Sequence, residues 1–181
     1  MGREPVRVVY TCFGGTHSSP VAAAIHLGIL PRDRVPSVRE LLTAPGFDTA
    51  EGDGRGLLRL AGVDPGGNLV YTLPRGRLPA AVVRRLMEGT LRMAGRGDVP
   101  LLVVDTLGCV GWLMRAGGFL SRRAGLVRVG RPLVALGTRR AYWCLVRLVR
   151  ETEAVLAAWA AGDPGSWAGV SPNRLTSDER G

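Results

Sequence analysis

The sequence predicts an α/β protein, a three-layer α/β/α domain built on a mainly parallel sheet of about four to five strands. Short apolar runs rich in β-branched residues recur at Val6 to Cys12, Asn68 to Leu73, Leu101 to Val104 and Pro132 to Leu136. Such runs read as buried strands. Helical patterns separate them. That alternation needs crossover connections, which set strands parallel and cover both faces of the sheet.

The first strand, Val6 to Cys12, leads through Phe13-Gly14-Gly15-Thr16-His17-Ser18 to Ser19-Pro20. Ser19 has the chemistry of a helix N-cap, and Pro20 suits the first helical position. The helix continues through Val21 to Leu27, and Gly28 can end it. Ser37 to Glu40 has capping-box spacing, which predicts a short helix to about Thr43. Residues 44–67 are rich in Gly, Asp and Pro, with one short apolar stretch at Leu57 to Ala61, and read as a long loop carrying one helical turn or more. After the second strand, Pro79 to Ala94 is amphipathic, with Val82, Val83, Leu86 and Met93 as its inner face. The third strand ends at Asp105, and a helix is expected around Gly108 to Ala116. The fourth strand then leads to a long final helix from Arg139 to about Ala160. Residues 1–161 form the expected single domain. Residues 162–181 are polar and rich in Gly, Pro and Ser, the composition of a disordered tail.

Ligands of open α/β sheets bind beyond the carboxyl ends of the strands. The Cys12 loop, Pro74-Arg75, Asp105-Thr106 and Gly137-Thr138 all fall at expected strand ends and are candidates for one cleft.

Composition narrows the chemistry. The net charge is +9, and all 24 basic residues are arginine. Without lysine, neither a Schiff base nor the phosphate-binding lysine of a standard P-loop can form. A basic balance suits anionic small molecules, nucleic acid or acidic partners and chooses none of them. No apolar run reaches the ~20 residues of a membrane span, so no membrane partner is expected. The N-terminal residues pass straight into the first strand without a signal-peptide core, so a cytoplasmic location is expected. Cys12, Cys109 and Cys144 are odd in number and widely spaced, which does not read as a disulfide framework; Cys109 and Cys144 are expected in the core. A zinc site would need Cys12 and His17 with distant partners, and no metal is expected.

The loop carries the most chemistry. Gly14 and Gly15 allow a tight turn and close backbone approach. The amides of Thr16 to Ser19 would point outward at the positive end of a helix dipole, an arrangement that binds anions and above all phosphate. Thr16, Ser18 and Ser19 add hydroxyl donors, and His17 adds a titratable group. Cys12 is either a small buried hydrophobe or a thiolate nucleophile with His17 as acid/base. His26, on an apolar helix, reads as a satisfied core histidine. Arg75 could supply positive charge to the loop. Asp105 is either a helix cap or part of the site.

At these residues resemblances appear. Val9-Tyr10-Thr11-Cys12-Phe13-Gly14-Gly15-Thr16-His17-Ser18-Ser19-Pro20 resembles the phosphate loop of the low-molecular-weight tyrosine phosphatases. The resemblance puts Cys12 on the nucleophile and Ser19-Pro20 on the Ser-Pro pair; the phosphate-clamping arginine of that family is Ser18 here. The family's catalytic Asp-Pro pair has no good counterpart, since Asp64-Pro65 precedes the second strand and Asp163-Pro164 follows the last helix. The loop also resembles nucleotide-binding P-loops of the Lys-Gly-Gly type without their lysine, and Asp105 then takes the place of a magnesium-binding aspartate. A longer resemblance joins the loop, residues 22–28, Asn68 to Thr72, Gly117 to Arg122 and Gly137-Thr138 to an uncharacterised family of short bacterial proteins, domain of unknown function 3189. It implies a fold and a motif but no activity.

The expected function is therefore binding of a phosphate-type anion or phosphorylated small molecule at Gly14, Gly15, Thr16, His17, Ser18 and Ser19, with Arg75 and Asp105 as further candidates. A phosphatase-like hydrolase or transferase using Cys12 and His17 is the alternative, and a lysine-less nucleotide-binding P-loop a second. The sequence names no cofactor, ligand or oligomeric state, and nucleic acid stays open as a partner.

Overall fold

The computed structural model describes residues 4–47, 56–110 and 127–162. Strand β1 (Arg7–Cys12) is followed by helices α1 (Ser18–His26) and α2 (Val38–Thr43), strands β2 (Arg59–Val63) and β3 (Leu69–Pro74), and helix α3 (Ala80–Met93). Strand β4 (Leu101–Asp105), a 3-10 turn (Thr106–Cys109) and helix α4 (Val127–Ala160) follow among the described residues.

Among the described residues the sheet has four strands in the order β2-β3-β1-β4. β1 is central and parallel to both neighbours, with Cys12 opposite Pro74 and Thr11 opposite both Leu73 and Asp105. β2 runs antiparallel to β3, so the sheet is mixed rather than mainly parallel. Alternate residues of β1 enter different clusters. Val8 and Tyr10 pack with Val21 and Ile25 of α1 and Leu145 and Val149 of α4. Val9 packs with Leu73, Leu101 and Val83 of α3.

Every residue of α1 is buried, which fits a short helix of small and branched apolar residues between the sheet and α4. Its boundary differs from expectation. The helix begins at Ser18 with His17 at the N-cap, so Pro20 sits two residues past the first helical position, still in the first turn. The Ser18 and Ser19 side chains are used in side-chain contacts instead of capping. The Ser37–Glu40 capping box forms as read, with Glu40 N donating to Ser37 Oγ at 3.2 Å and Ser37 N donating to Glu40 Oε2 at 2.8 Å.

Three further expectations are corrected. The apolar stretch at Leu57 to Ala61, read as part of a long loop, leads into a strand; β2 starts at Arg59 and takes its order from the ladder with β3, irregular between Leu60 and Gly62. The α3 face turned to the sheet carries Val83, Met87 and Leu91, while Val82, Leu86 and Met93 point outward and Met93 is 84% exposed. Pro132 to Leu136 is no strand but part of α4. A short apolar run cannot be told from a buried helix by periodicity. Here Ala135, Thr138, Tyr142, Leu145, Val149, Thr152 and Leu156 are buried at steps of three and four, the helical period. Of the helix expected at Gly108 to Ala116, the described part is the end of the 3-10 turn; its remainder, the motif Gly117 to Arg122 and the tail from residue 163 lie outside the described residues.

Cys109 and Cys144 are not separate core thiols. They form a disulfide with Cα atoms 5.6 Å apart, joining the 3-10 turn to α4. Cys12 is free. No described helix is long and apolar enough to cross a membrane.

Candidate functional site

β1 delivers Cys12 to the carboxyl end of the sheet centre, where it is only 4% exposed. Its Sγ accepts a hydrogen bond from Gly15 N at 3.0 Å and lies 3.1 Å from Ser19 Oγ. The loop thus curls back on the cysteine that starts it. Gly15 makes the curl possible, with φ +69°, where only glycine is unstrained, and with its backbone against the Pro74 ring.

The first turn of α1 closes the other side. Ser18 Oγ is 2.8 Å from Thr106 Oγ1, which also donates to the Thr11 carbonyl at 3.1 Å. Amides in the first turn of a helix have no partner within it. Thr16, between the two glycines and the helix, is only 3% exposed, and its hydroxyl finds no hydrogen-bond partner. Buried polar groups are nearly always paired, so such an orphan marks a place where a partner belongs. His17 is half-buried, with its ring edge-on to Phe47 at 5.8 Å.

The structure brings three of the four expected strand ends together. Arg75 N donates to Cys12 O at 2.9 Å and Gly76 N to Phe13 O at 3.0 Å, which seats the turn after β3 beside the loop. Gly137 and Thr138 lie inside α4 and not at a strand end. Arg75 does not serve as a spare cation. Its Nη2 donates to Asp105 Oδ2 at 2.7 Å, its Nη1 donates to the Leu78 carbonyl, and only Nε is buried without a partner. Asp105 accepts from Leu107 N at 3.0 Å through its other oxygen, so it is both cap and ion-pair partner. By strand alternation this pair lies with Thr11 on the face of β1 opposite to Cys12.

Two threonines complete the site: Thr106, expected at a strand end of the cleft, and Thr11, to which the residue pattern gave no role. Thr11 donates to the Leu73 carbonyl at 2.8 Å, and Thr106 bridges β1 to Ser18. A polar residue just after an apolar strand was the only available signal for Thr106.

Beneath α1 runs a separate buried polar chain. Tyr10 Oη lies 2.8 Å from His26 Nδ1, and His26 Nε2 lies 3.1 Å from Asp64 Oδ2. Asn68 donates to Asp64 from both its backbone and its side chain. Burial pushes the imidazole below its ordinary range, against the pull of Asp64. Burial raises the Tyr10 phenol, so it donates to Nδ1 and leaves Nε2–H for Asp64. Burial also pushes the Asp64 carboxyl up, but hydrogen bonds from Asn68 and His26 outweigh it and hold the group low. His26 is a core histidine with both ring nitrogens occupied. Among the described residues no cluster of three His, Cys, Asp or Glu could hold a metal.

The family model for a protein of unknown function, DUF3189, matches residues 7–154, from β1 to the last turns of α4. The chain belongs to this family. The DUF3189 match spans the loop, the Thr106 turn and the disulfide together, so the whole candidate site lies inside the shared domain. No curated protein and no solved structure matches the chain.

Proposed function

We propose that the loop from Cys12 to Ser19 binds a phosphate-type anion or phosphorylated small molecule. The observation that carries this is the Thr16 hydroxyl, buried and without a partner in a glycine-bearing loop at the start of a nine-residue helix. Backbone amides of Thr16 to Ser19, the Thr16 hydroxyl and the His17 ring are the proposed donors. Arg75 contributes little, because Asp105 and Leu78 already occupy its guanidinium. Two clusters on alternate residues of β1 favour the three-layer arrangement, and we place the chain in the cytoplasm.

A second reading, a phosphatase-like nucleophile at Cys12, draws support from the Gly15 amide and Ser19 hydroxyl at its sulfur. It is the weaker reading, because the sulfur is buried and the loop has no arginine. The nucleotide reading loses its magnesium ligand, since both Asp105 oxygens are engaged.

Thermal unfolding with and without inorganic phosphate tests the proposal. A site-bound ligand at about 100 times its Kd stabilises by about 2.7 kcal/mol. No shift with phosphate or any phosphorylated metabolite, in wild type that is otherwise folded, would sink it. Turnover of an aryl phosphate abolished in Cys12→Ser would move the conclusion to the enzyme.

A further inference from the structure

The Cys109–Cys144 disulfide closes a connected path into the loop. Cys144 lies on α4 and Cys109 ends the 3-10 turn that begins at Thr106. Thr106, fully buried, holds Ser18 by its hydroxyl and β1 by the Thr11 carbonyl. Ser18 opens α1, and the next residue, Ser19, meets the Cys12 sulfur. α4 packs on both α1 and the 3-10 turn, so the disulfide fixes the turn against the helix that backs the site.

Both cysteines are half-buried, flanked by the exposed residues Gly108 and Trp143. Exposure opens a disulfide to attack by a small dithiol, which one sealed in a core resists. The 3-10 turn is short, and its internal hydrogen bonds hold it weakly. Without the disulfide, its end at Cys109 keeps, among the described residues, partly buried packing and the hydrogen bond from Val110 N to Leu107 O.

We propose that the Cys109–Cys144 disulfide is a redox switch on the anion loop: oxidised, it orders the loop, and reduced, it releases it. A dithiol reductant supplies the two electrons. Its thiolate attacks one cysteine sulfur, the bond between the sulfurs breaks, and a mixed disulfide forms. The second thiol of the reductant then displaces that cysteine and closes the reductant into its own disulfide. Two protons end on Cys109 and Cys144. The turn is freed from α4, Thr106 loosens its grip on Ser18, and the amides of the loop lose their common orientation. The effect on affinity rests on the anion reading; the effect on loop order does not.

The test is hydrogen–deuterium exchange on the full chain, oxidised and after dithiothreitol, with Cys109→Ser/Cys144→Ser as a permanently open form. Amides 13–19 should exchange about tenfold faster when the disulfide is open, while α3 amides stay as protected as before. Inorganic phosphate should bind about tenfold more weakly to the open form. Phosphate that binds neither form defeats the anion reading alone, since the exchange result still decides the switch. Unchanged loop exchange in protein whose thiols have been counted as free overturns the switch. An equal rise in α3 also overturns it, because the disulfide is then a general staple. Air-exposed protein with three free thiols overturns it as well.

Discussion

Gly15 lies so close to Pro74 that a Cβ on the glycine would stand 2.7 Å from the proline Cβ. The end of β3 therefore forms one wall of the loop, and the loop can carry no side chain at that point. Gly28, also at positive φ, has nothing within 4 Å of such a Cβ. Gly28→Ala should cost about 1 kcal/mol through backbone conformation alone. Gly15→Ala adds a clash with a rigid ring and should cost about 2 kcal/mol or more. Equal midpoints for the two variants in urea unfolding would show that the contact with Pro74 is not tight.

Thr16→Val should separate function from stability. The hydroxyl has no partner, and valine has nearly the same shape, so the variant should be more stable by about 1 kcal/mol. The same change removes a proposed donor, and phosphate affinity should fall by roughly tenfold. Chemical denaturation and calorimetric titration read the two effects. A destabilised variant would mean that the hydroxyl is paired in solution.

His17→Ala should weaken phosphate binding by about 1.5–3 kcal/mol, the range for hydrogen bonds to charged groups. His26→Ala should act on stability instead, because both of its ring nitrogens are engaged in the core. Calorimetry on the two variants distinguishes them. If His17→Ala binds as tightly as wild type, the loop amides and hydroxyls hold the anion alone.

Acid should weaken the fold in two windows. The folded imidazole of His26 is held below the ordinary value of 6.5, so below that pH the unfolded chain binds more protons. The stability from neutral His26 is thus complete above pH 6.5 and is lost as pH falls through the lower folded value. Asp64 is also depressed, and its contribution fades below its ordinary 3.8. Urea midpoints should fall as pH drops below 6.5, at a rate up to about 1.4 kcal/mol per pH unit for one proton. His26→Gln should flatten that slope below pH 6.5. A slope unchanged in the variant would assign the loss to other groups.

Cys12 should alkylate slowly in the folded chain, since its sulfur is buried between Gly15 and Ser19. Iodoacetamide should label it at least tenfold faster in urea, because access and not chemistry limits the reaction. Equal rates in both states would reopen the nucleophile reading.

The sequence alone determined the local parts whose signals lie within a few residues. The β-branched run of β1, the Ser37–Glu40 capping box, the amphipathic α3 and the Gly14–Ser19 loop were all legible because propensity and spacing act over one or two turns. Only the tertiary structure decided the rest. β2 is a strand because β3 offers it a ladder, and the run at Pro132 is helix because α4 continues through it. Arg75 is committed to Asp105 across β1, and Thr106 reaches Ser18 from a position 88 residues away. The Cys109–Cys144 disulfide likewise joins residues 35 apart. Such pairings depend on which strand ends meet in space, and hydrophobic periodicity carries no record of strand order.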